Sequence, residues 1–185
     1  MTPMTEQEIT AGCKRGDNRA RKELYEQYKG KMYALILRYI PDRDVAKDIL
    51  HDGFIAVFTR LDRFEWRQEG SLRAWISRVF VNEVLQHLRA KDILRDSVDI
   101  ETTEDTFSIS EDIKVESIPS DILHHFISEL PTGYRTVFNL FALDGLSHRE
   151  IGTMLNISEH SSSSQFYRAK QIIARKIVEY RKRVG

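Results

Sequence analysis

With 185 residues, 41% of them hydrophobic, the chain has room for one ordinary domain or two small ones. Its 28 basic and 28 acidic residues cancel, which as a total argues against nucleic-acid binding, and the single cysteine, Cys13, excludes an internal disulfide and a thiolate metal cluster. No run approaches the ~18 apolar residues that span a bilayer, and Met1 to Ala11 is polar without the apolar core of a secretion signal, so the chain reads as soluble, cytoplasmic and not inserted in a membrane.

From Arg19 to Ile40, the residues Leu24, Tyr28, Leu35, Ile36 and Tyr39 recur at threes and fours and predict a helix. Pro41 ends it, because the residue before a proline avoids helical angles. Asp42 or Asp44 caps the next helix, whose apolar stripe runs Val45, Ile49, Leu50, Gly53, Phe54, Val57, Phe58, Leu61. Beside that stripe lie Asp48, His51 and Asp52. Their spacing suits a metal in principle, but no further ligands complete a site, and with Ile55 and Ala56 they look like a protein-docking surface.

The charged stretch Asp62 to Gly70 breaks the pattern, and Ser71 is expected to cap a third helix reaching about Lys91. Leu72, Trp75, Ile76, Val79 and Phe80 form its core face, while Arg78, Asn82, Leu85 and Arg89 fall together on another. Two arginines and an asparagine suit a DNA strand, the arginines at phosphates and the asparagine at a base edge. The loop before the helix adds Trp66 and Arg67, with stacking and hydrogen-bonding groups for an unstacked base. The same strip also suits a plain solvated helix face.

From Asp92 to Asp121 ten acids face two bases, a net of −8 that leaves +8 on the rest of the chain. The neutral total therefore conceals parts with different partners. This segment is rich in Asp, Glu, Ser and Thr with weak periodicity, and is expected to be extended or disordered when free. Helical patterns return at Ile122–Leu130, Pro131–Leu143, Ser147–Leu155 and about Glu159–Arg183. No strand pair is legible. The expected fold is all-α: a three-helix module over 1–91, a flexible acidic linker over 92–121 and a four-helix module over 122–185.

The sharpest local pattern runs from Leu146 to Ser158. Ser147 with Glu150 forms a capping box, Ile151 and Leu155 face inward, Gly152 allows a close approach, Asn156 suits a left-handed turn and Ser158 caps the next helix. This is the layout of a helix-turn-helix, whose second helix enters the major groove. On that second helix Phe166 faces inward, while Ser163, Ser164, Gln165, Tyr167, Arg168 and Lys170 are candidates for base and phosphate contacts. Seven bases against one acid from Gln165 to the end favour a phosphate backbone. Read blandly, the serine run is a low-complexity, poorly helical stretch, although its apolar neighbours stay in helical phase.

Taken in order along the chain, these segments resemble the extracytoplasmic-function (ECF) sigma factors of the sigma-70 family. Asp44 to Phe54 resembles the region 2 helix that docks on the polymerase β′ subunit; Ser71 to Asn82 is similar to the serine, tryptophan and asparagine pattern at the −10 element; Arg89 matches the basic residue beyond it. Leu130-Pro131 resembles the opening of region 4, and Asp144 to Lys170 resembles the −35-reading helix-turn-helix.

The resemblance implies a transcription initiation factor without enzymatic activity or cofactor. It would bind core RNA polymerase (β and β′ subunits) through Asp48, His51, Asp52 and Ile55. Trp66, Arg67, Ser71, Arg78, Asn82 and Arg89 would capture the −10 strand, and Ser163, Ser164, Gln165, Tyr167, Arg168 and Lys170 would read −35 duplex. It also implies an acidic linker in the RNA exit path and an anti-sigma partner. The chain departs from the family at Ser163 and Gln165, where bases are frequent, at Gln86, where an acid is frequent, and at His51, which replaces a frequent glutamine. The alternatives are a stand-alone helix-turn-helix regulator, which leaves the first module without a role, and a helical adaptor that binds no DNA.

Overall fold

The computed structural model describes residues 4–90 and 118–184. Among these residues every regular element is helical, and the chain divides into two compact units, one up to His87 and one from Leu88 on. Most of the acidic linker assigned to 92–121 lies outside the described residues.

The first unit holds α1 (Glu6–Lys14), α2 (Asn18–Tyr39), α3 (Arg43–Arg60) with a short 3-10 turn at Leu61–Arg63, and all of α4 (Ser71–Ala90) but its last three residues. Helix α1 is not among the elements that periodicity predicts. Its apolar content is thin, but Thr5 and Glu8 form a reciprocal capping box at its start. Ile9 and Cys13, one turn apart, are its buried apolar side chains. Gly16 takes a φ of +78°, which suits glycine, and Asp17 then caps α2 by accepting from the Arg19 N–H at 2.8 Å. At α3 the cap is Asp42, whose Oδ1 accepts from the N–H groups of Asp44 and Val45 at 2.9 and 3.1 Å; Asp44 instead pairs with Lys47.

The core of this unit lies where α2, α3 and α4 meet. Leu24, Ile36, Tyr39, Phe80 and Leu72 are fully enclosed there, each worth roughly 1.5–3 kcal/mol of burial. Phe54 meets Phe80 edge to face with ring centroids 5.2 Å apart. Gly53 makes this possible: a Cβ at that position would overlap the Phe80 ring. One sequence assignment is corrected here. Leu85 does not lie on the polar strip of α4 but is buried at 0% exposure, and Gln86 takes its place on the exposed face.

The second unit comprises α5 (Ser120–Ser128), α6 (Thr132–Phe138) running on through a π turn at Asn139–Leu143, α7 (His148–Leu155) and α8 (Glu159–Val184). Phe126, Ile127, Leu130, Tyr134, Ile173 and Ile177 form its core, and Ile118, four residues before the boundary read from sequence, already packs into it. Arg135 is buried and fastens the end of α5, its guanidinium donating to the carbonyls of Ser128 and Leu130 at 2.8 Å each. These charge-assisted bonds satisfy carbonyls that the helix end leaves open.

Candidate nucleic-acid interface

The α4 surface is built by phase. Arg78, Asn82, Gln86 and Arg89 are all exposed and succeed one another at threes and fours along the helix. The loop before it is held by Ser71, whose hydroxyl donates to the Gln68 carbonyl at 2.6 Å and accepts from the N–H groups of Arg67 and Gln68 at 3.3 and 3.5 Å. Ser71 is thus the first helical residue and a loop fastener rather than the helix cap. Gly70 stands at the cap position with a φ of +87°. The cap itself comes from Glu6, whose carboxylate accepts from the N–H groups of Gly70, Leu72 and Arg73 at 2.8, 3.1 and 3.2 Å. In the same loop Arg67 is exposed and Trp66 is half-buried, its indole Nε1 enclosed without an acceptor.

On α3, Asp48, His51, Asp52 and Ile55 share one exposed face, with Ile55 at 52% exposure. Tyr25 of α2, itself exposed, packs on Phe54 at 4.7 Å beside this face. An exposed apolar side chain beside two acids and a histidine is a surface that can serve protein docking.

The helix-turn-helix of the second unit takes the form expected of it. The Ser147 hydroxyl accepts from the Glu150 N–H at 3.3 Å while the Glu150 carboxylate accepts from the Ser147 N–H at 2.8 Å. Asn156 adopts φ 56° and ψ 45°, and the Ile157 N–H returns to the Gly152 carbonyl at 3.0 Å, closing the helix end. Gly152 serves this turn: a Cβ there would stand 2.8 Å from the Ile157 carbonyl oxygen, so the close approach is to the turn backbone rather than to another helix.

The serine run is helical, and its members divide the work. Ser158 caps α8 by accepting from the Ser161 N–H at 2.9 Å. Ser162 is fully buried and pairs with the His148 Nδ1 at 3.0 Å, while the His148 ring stacks on Phe141 at 4.3 Å. Ser163 and Tyr167 face solvent, one turn apart, with Lys170 a turn further; Ser164, Gln165 and Arg168 flank them, half-buried. The Lys170 ammonium lies over the Phe166 ring at 5.2 Å. His160, exposed one turn before Ser163, belongs to the same face.

Comparison with known proteins agrees in order and position. The family model described as Sigma-70 region 2 matches residues 24–93, and that described as Sigma-70, region 4 matches residues 120–173. The chain belongs to the sigma-70 family. Within it, this sigma factor is 28% identical to the ECF RNA polymerase sigma-E factor of Escherichia coli (strain K12), over 94% of this chain and 95% of that one. It is 27% identical to the RNA polymerase sigma-H factor of Pseudomonas aeruginosa, over 94% of both. In fold it is similar to the sigma factor RpoE of Bartonella quintana, solved in complex with the anti-sigma factor NepR, with a TM-score of 0.51 at 18% identity, covering 84% of this chain and 95% of that one. It is therefore a sigma factor of the ECF type, and promoter-specific initiation with RNA polymerase is its function.

Sequence reasoning missed Glu6, His148 and Ser162 in this sigma factor. Glu6 acts across more than sixty residues of sequence, so no local pattern marks it. Ser162 is hidden in a run of identical residues, where only the helical phase of Phe166 and Ala169 separates inward from outward serines, and its partner His148 stands fourteen residues away.

Proposed function

We propose that the two units of this ECF sigma factor divide promoter recognition between them, the α3 and α4 unit docking on core polymerase and capturing the −10 strand, the α7 and α8 unit reading −35 duplex. The observation that carries the proposal is the exposed phase of α4. Arg78 and Asn82 are exposed one turn apart on α4, the helix that the Trp66–Arg67 loop leads into, with Arg89 exposed further along it, so one helix offers phosphate partners and a base-reading amide.

Asp48, His51, Asp52 and Ile55 on α3 form the patch for the β′ subunit, with β engaged elsewhere on the chain. Ser71 holds the capture loop from within. Ser163, Ser164, Gln165, Tyr167, Arg168 and Lys170 meet the −35 duplex. The outward residues Ser163 and Tyr167 are in position for base edges, while Arg168 and Lys170 supply charge for phosphates. Holding Trp66 Nε1 unpaired costs roughly 1–3 kcal/mol, which a rearrangement of the loop around a captured base would recover. The protein works in the cytoplasm beside polymerase, as a non-enzymatic factor without a cofactor. The Bartonella structure is of a sigma factor in complex with an anti-sigma factor, and an anti-sigma partner belongs to this reading as well.

Adding the chain to sigma-free core polymerase with a library of random upstream sequences, and sequencing the transcripts, tests the assignment. Two enriched blocks at constant separation are expected. Transcripts enriched for one block or for none contradict it.

A further inference from the structure

We propose that Glu6 is a positioning residue for strand capture: from α1 it supplies the N-cap that Gly70 lacks, and so fixes the 65–70 loop on the end of α4. This rests on the reading of that loop as the strand-capturing element.

Gly70 occupies the cap position of α4, since its carbonyl accepts from the Ala74 N–H at 3.0 Å. It has no side chain to satisfy the first-turn N–H groups, which an ordinary Ser, Thr, Asp or Asn cap would do. Glu6 does so from elsewhere in the unit. Its Oε2 accepts from Gly70 and Leu72, and its Oε1 accepts from Arg73 and from the Tyr28 hydroxyl at 2.7 Å. The residue is only 7% exposed. An ionised carboxylate is tolerated at such a place only when donors surround it, and a helix N-terminus favours its charge.

Two kinds of bond therefore hold the loop. Those of Ser71 are local and set its internal shape. Those of Glu6 tie it to α1 and α2, so that Trp66 and Arg67 are placed relative to Arg78 and Asn82. A corollary concerns charge. The N-terminus of α4, an otherwise ready anion site, is filled by the protein's own carboxylate and is closed to a DNA phosphate. Strand phosphates then fall to Arg67, Arg78 and Arg89.

The test uses the full chain with core polymerase on a promoter recovered with the wild-type protein, so a failed function reading shows first as a wild type that does not initiate. Glu6→Gln keeps the size of the side chain but turns an NH2 toward N–H groups. Core binding is expected to stay within about twofold, while −10 strand capture, read by 2-aminopurine fluorescence in that strand, falls about tenfold or more. Glu6→Asp, which keeps the carboxylate, should recover part of the loss. In a Trp75→Phe background, where Trp66 is the remaining tryptophan, Glu6→Gln should make Trp66 more accessible to acrylamide. Capture at the wild-type level overturns the proposal. So does an equal loss of core binding and capture, which a merely structural role would give. Should Glu6→Gln not fold, Glu6→Asp carries the same comparison: capture reduced more than core binding supports the proposal, and parallel reduction overturns it.

Discussion

Asn82 is the most discriminating side chain on α4, because it is exposed and offers an amide on a helix whose other exposed reading groups are arginines and Gln86. Asn82→Ala should reduce promoter opening about tenfold, the worth of one well-made hydrogen bond, with core binding unchanged. Asp48→Arg or Asp52→Arg should do the reverse, abolishing core binding by charge reversal without touching the α4 strip. Binding of each variant to core polymerase, measured by competition, separates the two; loss of core binding in Asn82→Ala would mean that α4 faces polymerase. In α1, burial pushes the Cys13 thiol up to about 11 from an ordinary 9.0. The folded value is the higher, so the stabilisation is complete below pH 9 and is lost as pH rises towards 11. Tyr28 is raised too, by burial first and then by its bond to Glu6, and acts in the same direction at still higher pH. Urea melts should therefore show stability falling across this window, by on the order of 2 kcal/mol for Cys13, and Cys13→Ala should flatten the fall. Sequence made the exposed α4 strip legible but not its Leu85: a 100° wheel puts that residue beside Asn82 and Arg89, while helix packing on a wide apolar face encloses it.

Helix ends and close approaches were the most readable elements. Ser147 with Glu150, Asn156, Ser158 and Asp42 all perform the local tasks that their side chains suggest. They were readable because a cap is satisfied within three residues of itself. Helix α1 was not, since two buried apolar side chains in nine residues give no stripe and its anchor, Glu6, is a distant partner. Gly53 and Gly152 each stand where an added Cβ would overlap a neighbour, the Phe80 ring and the Ile157 carbonyl oxygen. Gly53→Ala must displace the Phe80 ring and should cost about 1–3 kcal/mol in the first unit, and Gly152→Ala must open the turn at Ile157 at a similar cost in the second. Thermal melts of the two variants check this. A Gly152→Ala protein as stable as wild type would mean that the turn gives way more readily than its backbone contacts indicate.

At the scale of the molecule, charge is sorted rather than absent. The acidic stretch from Asp92 to Asp121 balances basic modules on either side, and this was legible from residue order alone. What sequence left open was whether these faces are merely solvated; the exposure of Arg78, Asn82, Ser163 and Tyr167 is what the proposed reading requires of them. The central claim is that these surfaces act on one promoter through polymerase. The measurement that bears on it most directly is a combined footprint on a promoter from the library: nuclease protection for duplex contacts and permanganate reactivity for unpaired thymines. Core polymerase and this sigma factor together should give −35 protection and reactive thymines at −10, neither being produced by core alone or by the factor alone. Full −35 protection by the factor alone, with no melting at −10 when core is added, would contradict the claim and leave a stand-alone helix-turn-helix regulator in its place.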